Sequence, residues 1–298
     1  MHTLVVIAGP TAVGKTGVAI EIARHFNTII ISGDSRQFYN ELKIGTAAPT
    51  PEQTVLAPHF LTGHLSVHDY YNVSRFENDV LSILNEQFPQ HKPVILVGGS
   101  GLYLDAVCKG IDDLPDPDPH LRKQIELWHQ ESGIEFLTEK LESLDPDYYK
   151  LVDKSNPSRL KRAIEVCMMT GKTYTSLRIN KRKSRDFKII KIGLNLPREE
   201  LNHRIALRTD QMISDGLVAE VTSLLKYRHL NALNTVGYKE IFEYLDGKTS
   251  LEQAIENIKT NTRRYAKRQL TWFKRDQEMK WFSPEDAGGM IKYVRDKL

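Results

Sequence analysis

The eight residues 9–16 match the phosphate-binding pattern G-x-x-x-x-G-K-[S/T] at every position. They are Gly9, Pro10, Thr11, Ala12, Val13, Gly14, Lys15 and Thr16. In such a loop the free backbone N–H groups and the positive end of a helix dipole attract a phosphate. The lysine can span two phosphate groups and the hydroxyl can ligate Mg²⁺. The pattern therefore predicts binding of a di- or triphosphate, with Thr16 as a metal ligand.

The flanking sequence places this loop between a strand and a helix. Residues 4–8 form a short branched apolar run, as in a buried strand, and apolar residues recur at helical spacing from 13 to 26. A chance match to the pattern in a glycine turn is the alternative, and this context disfavours it. Further apolar runs at 28–32, 94–97 and 189–194 predict three more strands. We expect an α/β fold with a P-loop NTPase-like parallel sheet core flanked by helices, which binds ligands at the carboxyl ends of its strands.

Polar residues follow two of the predicted strands. Asp34 follows the run at 28–32 and Ser100 follows the run at 94–97, so both should lie beside the phosphate loop. The run at 94–97 ends in two glycines, without the acidic residue that helps to hold Mg²⁺ in most phosphate-loop kinases and hydrolases. Asp34 could be a Mg²⁺ ligand, a general base, or only the cap of a following helix.

A pair of arginines gives a second candidate for anion binding. Arg204 and Arg208 are four residues apart, so a helix would place them on one face. Two guanidinium groups there could grip a departing pyrophosphate. They could equally form surface ion pairs with Glu200 or Glu220.

The chain from 114 to 186 differs in composition from the sequence on either side. A proline-rich run at 114–119 marks its beginning, and helices are predicted at 120–128, 134–144, 147–152 and 158–170. We expect an inserted all-helical domain at 114–186 and a catalytic core formed by 1–113 and 187–298. In the second part of that core, helices are predicted at 201–214, 217–227, 238–245 and 251–273.

Composition limits the class of protein. Of the 298 residues 40% are hydrophobic and 27% are charged, and no apolar run approaches the ~20 residues of a membrane helix. The predicted first strand begins too early to leave room for a signal peptide, so we expect a cytoplasmic protein, monomeric and without a membrane partner. Cys108 and Cys167 are too few for a disulfide framework and are expected to be buried.

Charge is distributed very unevenly. Residues 112–147 carry eleven acidic and three basic residues, 154–185 carry ten basic residues and one acid, and 258–275 carry seven basic residues and no acid. Two basic faces suggest a polyanion larger than a nucleotide, although solvated helix faces would also explain them. Four aromatic residues among the cations favour single-stranded nucleic acid. They are Tyr174, Tyr265, Trp272 and Phe273.

Seven blocks along the chain together resemble the bacterial tRNA dimethylallyltransferases of the IPP transferase family. The blocks are the phosphate loop, Asp-Ser-Arg-Gln-Phe-Tyr at 34–39, Ile-Gly-Thr-Ala at 44–47, Gly-Gly-Ser-Gly-Leu-Tyr at 98–103, Asn-Pro-Ser-Arg-Leu-Lys-Arg at 156–162, Val-Gly-Tyr at 236–238 and Tyr-Ala-Lys-Arg-Gln-Leu-Thr-Trp-Phe at 265–273. The phosphate loop alone is shared by many families. The blocks at 34–39, 156–162 and 265–273 are specific in combination.

The resemblance implies transfer of a dimethylallyl group from dimethylallyl diphosphate to the N6 amine of the adenosine 3′ of the anticodon. The phosphate loop would then cradle a leaving group, and Lys15, Thr16 and Mg²⁺ would stabilise its charge. By the same resemblance, Asp34 would accept the amine proton, while Ser100 and Arg208 would contact the departing diphosphate or its bridging oxygen.

The resemblance also implies contacts with the tRNA anticodon stem-loop, whose target base must leave its stack. Around that base it implies Asp34, Ser35, Arg36, Gln37 and Ser100. In the helical insertion it implies Arg122, Ser158, Arg159, Leu160, Lys161 and Arg162. Elsewhere it implies Leu233, Asn234, Thr235, Val236, Gly237, Tyr238, Lys267, Arg268, Gln269, Thr271, Trp272 and Lys274.

Three other functions are consistent with part of this pattern. A small-molecule kinase shares the strand, loop and helix, but it does not explain the basic block at 258–275. An adenylate isopentenyltransferase shares the phosphate loop and Asp34 but has no need of the helical insertion. An RNA-binding module with a vestigial phosphate loop would not need Lys15, Thr16 and Asp34 intact.

Overall fold

One sheet of six parallel strands forms the centre of the computed structural model, which describes residues 1–179 and 182–298. The strands are β1 (Thr3–Ala8), β2 (Ile30–Ser32), β3 (His59–Phe60), β4 (Val94–Gly98), β5 (Lys188–Leu194) and β6 (Lys280–Phe282). Their order across the sheet is β3-β2-β4-β1-β5-β6. β4 lies between β1 and β2, with Gly98 beside Ala8 and Val97 beside Ser32. The carboxyl ends of these three strands therefore lie side by side.

The parallel α/β fold and the four predicted strands are confirmed as β1, β2, β4 and β5. β3 and β6 are two and three residues long, form the two edges of the sheet, and were not predicted. Neither has a fully buried residue. A short, half-exposed edge strand needs no apolar run, so the hydrophobic pattern gives no signal for it.

Thirteen α-helices occur in residues 1–179 and 182–298. They are α1 (Lys15–Phe26), α2 (Pro51–Leu56), α3 (Val73–Gln87), α4 (Gly101–Lys109), α5 (Pro119–Leu144), α6 (Pro146–Leu151), α7 (Pro157–Thr170), α8 (Tyr174–Leu177), α9 (Arg198–Ser214), α10 (Leu217–Ser223), α11 (Tyr238–Leu245), α12 (Leu251–Phe273) and α13 (Ala287–Arg295). The predicted helix at 217–227 is α10 followed by a 3₁₀ turn at Leu225–Tyr227.

The chain divides into two compact units, one of 1–109 with 184–298 and one of 110–183. The boundaries expected from the sequence, 113/114 and 186/187, lie a few residues further along. In the first unit the strand side chains alternate between the two faces of the sheet. Leu4 and Val6 pack into one apolar cluster, and Val5 and Ile7 pack into the other. Both faces of the sheet are therefore buried, as the apolar strand runs require.

The second unit has its own core, formed by apolar side chains of α5, α6 and α7 such as Leu137, Leu141 and Ile164. Inside α5, Gly133 has φ 75° and ψ −172°, so the backbone breaks between the two helices predicted at 120–128 and 134–144. Cys108 of the first unit and Cys167 of this one are buried free thiols, as predicted. Within the described parts of the chain, we find no helix with the length and apolar character of a membrane span.

Candidate functional site

The phosphate loop joins β1 to α1 in the conformation that its glycines require. Ala12 and Gly14 have φ of 64° and 100°, and Gly14 is the N-cap of α1. A Cβ at Gly9 would lie 2.9 Å from the carbonyl oxygen of Leu194, so β5 leaves room only for glycine there. Left-handed residues at the start of a helix turn successive backbone N–H groups toward one point. The loop is therefore built to receive an anion.

Asp34 lies beside the phosphate loop because Gly33 and Gly98 allow β2 and β4 to end close together. The Gly33 N–H donates to the carbonyl of Val97 at 2.7 Å, and a Cβ at Gly98 would lie 2.3 Å from the Gly33 oxygen. Asp34 Oδ1 accepts from the backbone N–H of Arg36 at 3.1 Å, and a turn follows rather than a helix. The interpretation of Asp34 as a helix cap is therefore wrong.

Two cations and one carboxylate face each other in a single cavity of about 1050 Å³. Lys15, Asp34 and Arg208 line it together with Thr16. The pKa of Lys15 is lowered to about 8, chiefly by burial; the nearby Asp34 carboxylate opposes this shift and Arg208 adds to it. Burial also lowers the pKa of Arg208, and Asp34 again opposes the shift. Asp34 balances only one of the two positive charges, so the cavity favours an added anion.

Arg208 and Arg204 have different surroundings, although both lie on α9. The Arg208 guanidinium donates to the carbonyl of Thr46 at 3.4 Å at the cavity wall. The Arg204 guanidinium instead lies 2.7 Å from Glu200 and 3.3 Å from Glu285. Of the two arginines, Arg208 lines the cavity, whereas Arg204 forms the alternative ion pair with Glu200.

Ser100 belongs to a group of hydroxyls beside Asp34. Its Oγ accepts from the N–H of Ser35 and donates to the Ser35 hydroxyl, both at 3.1 Å. It is also hydrogen-bonded to the hydroxyl of Tyr265. Burial and the nearby Asp34 carboxylate raise the pKa of Tyr265 to about 12, so this hydroxyl stays protonated. The cavity wall next to this group is formed by Val97 and Gly98.

The Gln269 side chain is buried and forms hydrogen bonds within the protein. It is 6% exposed, its Oε1 accepts from the Thr11 N–H at 2.8 Å, and its Nε2 donates to the Gly99 carbonyl at 2.8 Å. The amide therefore ties α12 to the phosphate loop and to the end of β4. This contact differs from the RNA contact that the sequence suggested for Gln269.

Other α12 residues of the expected RNA surface are exposed. They are Lys267, Arg268, Thr271, Trp272 and the following Lys274. The Trp272 indole donates to Asp105 at 2.9 Å, and the Arg275 guanidinium lies over its ring. Phe273 is only 4% exposed and packs in the core, so its prediction as a stacking platform is wrong.

The segment 231–238 is anchored next to Asp34. Arg36 donates to the carbonyls of Asn231 at 2.9 Å and Asn234 at 3.3 Å. Leu233, Gly237 and Tyr238 are buried, Thr235 and Val236 are half-buried, and Asn234 is exposed. The side chains of Leu233 and Tyr238 therefore support this segment from inside.

In the second unit, the basic residues of α7 are only partly free. Ser158 and Arg159 are exposed, and Leu160 is a buried core residue. Lys161 pairs with Glu126 at 2.6 Å. Arg162 and Arg122 both pair with the buried Glu165, at 2.6 Å and 2.9 Å. Tyr174 packs on Tyr148, and Lys181 of this basic block lies outside the described residues.

A metal ion at this site would find few protein ligands. In residues 1–179 and 182–298, no group of three or more His, Cys, Asp or Glu side chains could hold one. The Thr16 hydroxyl lines the cavity beside Lys15. Mg²⁺ commonly takes one or two protein ligands and completes its shell with phosphate oxygens and water. This donor set fits Mg²⁺ bound together with a diphosphate.

The cavity also depends on a residue whose role sequence reasoning missed. Glu220, which was considered only as a partner for an arginine, accepts hydrogen bonds from the backbone N–H groups of Lys43, Ile44 and Gly45. Lys43 and Ile44 line the cavity, as do Thr46 and Ala47 after them. The Ile-Gly-Thr-Ala block marked the loop in the sequence, but no local pattern connects it with a residue far along the chain.

Comparisons with known proteins agree along the whole chain. The IPP transferase family model matches residues 37–276. A protein of Bacteroides thetaiotaomicron named tRNA dimethylallyltransferase 1 is 53% identical over 295 residues, covering 99% of this chain and 96% of that protein. A tRNA dimethylallyltransferase 2 of Parabacteroides distasonis is 47% identical over 298 residues, 100% of both chains.

Solved structures show the same architecture. The full-length tRNA isopentenylpyrophosphate transferase of Bacillus halodurans superposes with a TM-score of 0.72 at 33% identity, covering 99% of this chain and 96% of that one. A eukaryotic dimethylallyltransferase described as acting on tRNA has a TM-score of 0.72 at 27% identity, covering 91% of this chain and 70% of that one. Together with the family match, these likenesses show that the chain belongs to the IPP transferase family.

Proposed function

We propose that this chain transfers the dimethylallyl group of dimethylallyl diphosphate to the N6 amine of the adenosine 3′ of the anticodon in tRNA. The products are N6-isopentenyladenosine and diphosphate. The observation that carries the proposal is the single cavity in which Asp34 faces Lys15, Thr16 and Arg208. The proposal is supported by relatives named tRNA dimethylallyltransferase, which match 99% and 100% of this chain.

The diphosphate half of the cavity stabilises a leaving group. The backbone N–H groups at the N-terminus of α1, the Lys15 ammonium and the Arg208 guanidinium would face the diphosphate as its bond to the allylic carbon breaks. Fixed donors around a developing negative charge commonly give the largest part of a rate enhancement. Thr16 would hold Mg²⁺, which when bound adds positive charge to the same leaving group.

The base half of the cavity handles the proton. As the new bond forms between the allylic carbon and the adenine N6, the amine must lose one proton, and the Asp34 carboxylate would accept it. Ser100 would contact the departing diphosphate or its bridging oxygen, and its hydrogen bonds with Ser35 and Tyr265 would help to hold the turn that carries Asp34. Because an aryl amine is a weak nucleophile, its alignment against the allylic carbon would supply much of the rate.

For tRNA binding we propose exposed cations on both units. In the first unit these are Lys267, Arg268 and Lys274, with Trp272 as a stacking surface. In the second unit Arg159 is the exposed cation, with the Ser158 hydroxyl beside it. There Lys161 would exchange its present partner Glu126 for a phosphate, and Arg122 and Arg162 would exchange Glu165. Phosphate contacts of this kind make affinity depend on salt.

The test is to incubate the protein and Mg²⁺ with labelled dimethylallyl diphosphate and, separately, tRNA, AMP or ATP. We expect the label to appear only in tRNA. A tRNA whose target adenosine is replaced should remain unlabelled. Label in AMP but not in tRNA would instead indicate an adenylate isopentenyltransferase. ATP hydrolysis without prenylation of any acceptor would indicate a kinase-type function and contradict the proposal.

A further inference from the structure

One carboxylate holds the loop 43–47 by its backbone. Glu220 of α10 accepts at Oε2 from the N–H groups of Lys43 at 3.0 Å and Ile44 at 2.8 Å. Its Oε1 accepts from the N–H of Gly45 at 3.0 Å and from the hydroxyl of Tyr238 at 2.5 Å. Four donors approach the roughly four lone-pair sites of this carboxylate. Such an arrangement fixes three consecutive peptide groups at once.

Tyr238 closes the other side of this loop. Its side chain is 0% exposed, and a Cβ at Gly45 would lie 2.5 Å from its ring, so only glycine fits between the ring and the loop. Burial and the Glu220 carboxylate raise the pKa of Tyr238, which keeps its hydroxyl as a donor to Glu220. The Tyr238 ring and the Glu220 carboxylate together hold the loop in one conformation.

The loop lines the cavity with Lys43, Ile44, Thr46 and Ala47. The carbonyl of Thr46 accepts from Gln37 Nε2 at 3.2 Å and from the Arg208 guanidinium at 3.4 Å, and the carbonyl of Ala47 accepts from Gln37 at 3.0 Å. Ala47 has φ 46°, a left-handed conformation that costs a non-glycine residue energy and persists only where its surroundings enforce it. The loop therefore supplies a hydrogen-bond acceptor for the Arg208 guanidinium at the cavity wall.

We infer that Glu220, supported by Tyr238, is a positioning residue that holds the loop 43–47 against Arg208 and thereby sets the affinity of the cavity for the prenyl diphosphate. It acts without touching the substrate. The inference rests on the proposed function, because it assigns the diphosphate to the cavity that Lys15 and Arg208 line.

The experiment compares Glu220→Ala and Tyr238→Phe with wild type. Glu220→Ala removes all four acceptor contacts, whereas Tyr238→Phe removes one hydroxyl and keeps the ring that packs on Gly45. Glu243→Gln, on the exposed face of α11, is the matched control for loss of a carboxylate. Three quantities are measured: hydrogen exchange of the segment 40–50 in the free protein, calorimetric affinity for dimethylallyl diphosphate with Mg²⁺, and calorimetric affinity for tRNA.

We expect faster exchange at residues 43–45 in both variants, with exchange of the β1 and β4 segments unchanged. Affinity for dimethylallyl diphosphate should fall about tenfold in Glu220→Ala and about threefold in Tyr238→Phe, the range for losing hydrogen-bond partners. The tRNA affinity of both should stay within about twofold of wild type. Glu243→Gln should match wild type in all three measurements.

Unchanged hydrogen exchange at 43–45 in Glu220→Ala would overturn the inference that Glu220 holds the loop 43–47. Faster exchange with unchanged diphosphate affinity would overturn its role in binding. If Glu220→Ala fails to fold, Tyr238→Phe decides by the same criteria, because its buried ring is kept. A wild-type protein that binds no dimethylallyl diphosphate would contradict the proposed function and this inference together, whereas normal wild-type binding with unaffected variants would contradict this inference alone.

Discussion

At the scale of single residues, the site combines opposite charges at short range in a half-buried cavity. Asp34 lines the same cavity as Lys15 and Arg208; its carboxylate acts to raise the pKa of both cations, and Arg208 acts to lower the pKa of Lys15. A carboxylate is the form of this side chain that can accept a proton from an amine. In the proposed reaction, the same two cations would give the departing diphosphate its counter-charge.

The role of Asp34 can be tested by Asp34→Asn. The amide keeps the size of the side chain but cannot take up a proton, so turnover should fall about 10²-fold or more. Affinities for tRNA and dimethylallyl diphosphate should change little in comparison. Single-turnover rates, measured with both substrates saturating, report the step directly. Turnover near the wild-type level would rule out Asp34 as the general base.

The lowered pKa of Lys15 predicts a pH dependence of diphosphate binding. With a pKa of about 8, Lys15 is protonated at neutral pH and loses its charge as pH rises through 8. An anion favours the charged form, so affinity for dimethylallyl diphosphate should decline above pH 8, by at most about tenfold per pH unit. Calorimetry from pH 7 to pH 9.5 measures this decline.

The variant Lys15→Arg distinguishes titration of Lys15 from titration of other groups as the cause of this pH dependence. Lys15→Arg keeps the positive charge over the whole range, since a guanidinium stays protonated. Its affinity is expected to be lower than that of wild type at pH 7 and nearly independent of pH. A decline of the same size in Lys15→Arg would assign the pH dependence to a different group.

At the scale of elements, α12 joins the phosphate loop to the expected RNA surface. Gln269 bonds Thr11 and Gly99 from the buried face of the helix, while Lys267 and Arg268 lie on its exposed side. A helix residue that satisfies two backbone groups of other elements fixes the helix against them. The geometry of the diphosphate site therefore depends on the placement of α12.

This dependence predicts the effect of Gln269→Ala. The Thr11 N–H and the Gly99 carbonyl would lose their partner, which costs roughly 1–3 kcal/mol in the free energy of unfolding. Affinity for dimethylallyl diphosphate should also fall, because the loop N–H groups are no longer held. Urea unfolding and calorimetry measure the two effects, with the exposed Gln277→Ala as the control. If the free energy of unfolding equals that of wild type, the Gln269 side chain does not stabilise the fold.

The elements also show how far the sequence could be interpreted. The phosphate loop and the ends of β2 and β4 were predictable because local patterns mark them, and α11 and α12 have the predicted bounds. Glu220 and Gln269 could not be assigned their contacts, since their partners lie 175 to 177 and 170 to 258 residues away. Contacts at such separations are decided by packing, which a single sequence does not display.

At the scale of the whole molecule, charge pattern alone overstated the free positive surface. In the basic block at 154–185, Lys161 and Arg162 are paired with acids of the same unit, and Arg122, from the acidic segment, shares Glu165 with Arg162. Arg159 remains exposed on the first turn of α7. Removing a paired cation therefore disturbs the fold as well as any RNA contact. Removing an exposed cation leaves the fold unchanged.

The difference gives a prediction for tRNA binding. Arg159→Glu should weaken tRNA affinity about tenfold at low salt, reduce the slope of log affinity against log salt by about one unit, and leave unfolding unchanged. Arg162→Glu should weaken tRNA affinity and also destabilise the second unit, because it places a negative charge beside the buried Glu165. Diphosphate affinity should be the same in both variants as in wild type.

Filter binding across a salt series and thermal unfolding distinguish these effects. Lys292→Glu on the exposed face of α13 controls for the change in net charge, and it should shift tRNA affinity only slightly. If Lys292→Glu weakens binding as much as Arg159→Glu, long-range charge rather than contact explains the effect. If Arg159→Glu has no effect at any salt concentration, α7 does not contact tRNA through Arg159, and the tRNA site must be sought on α12.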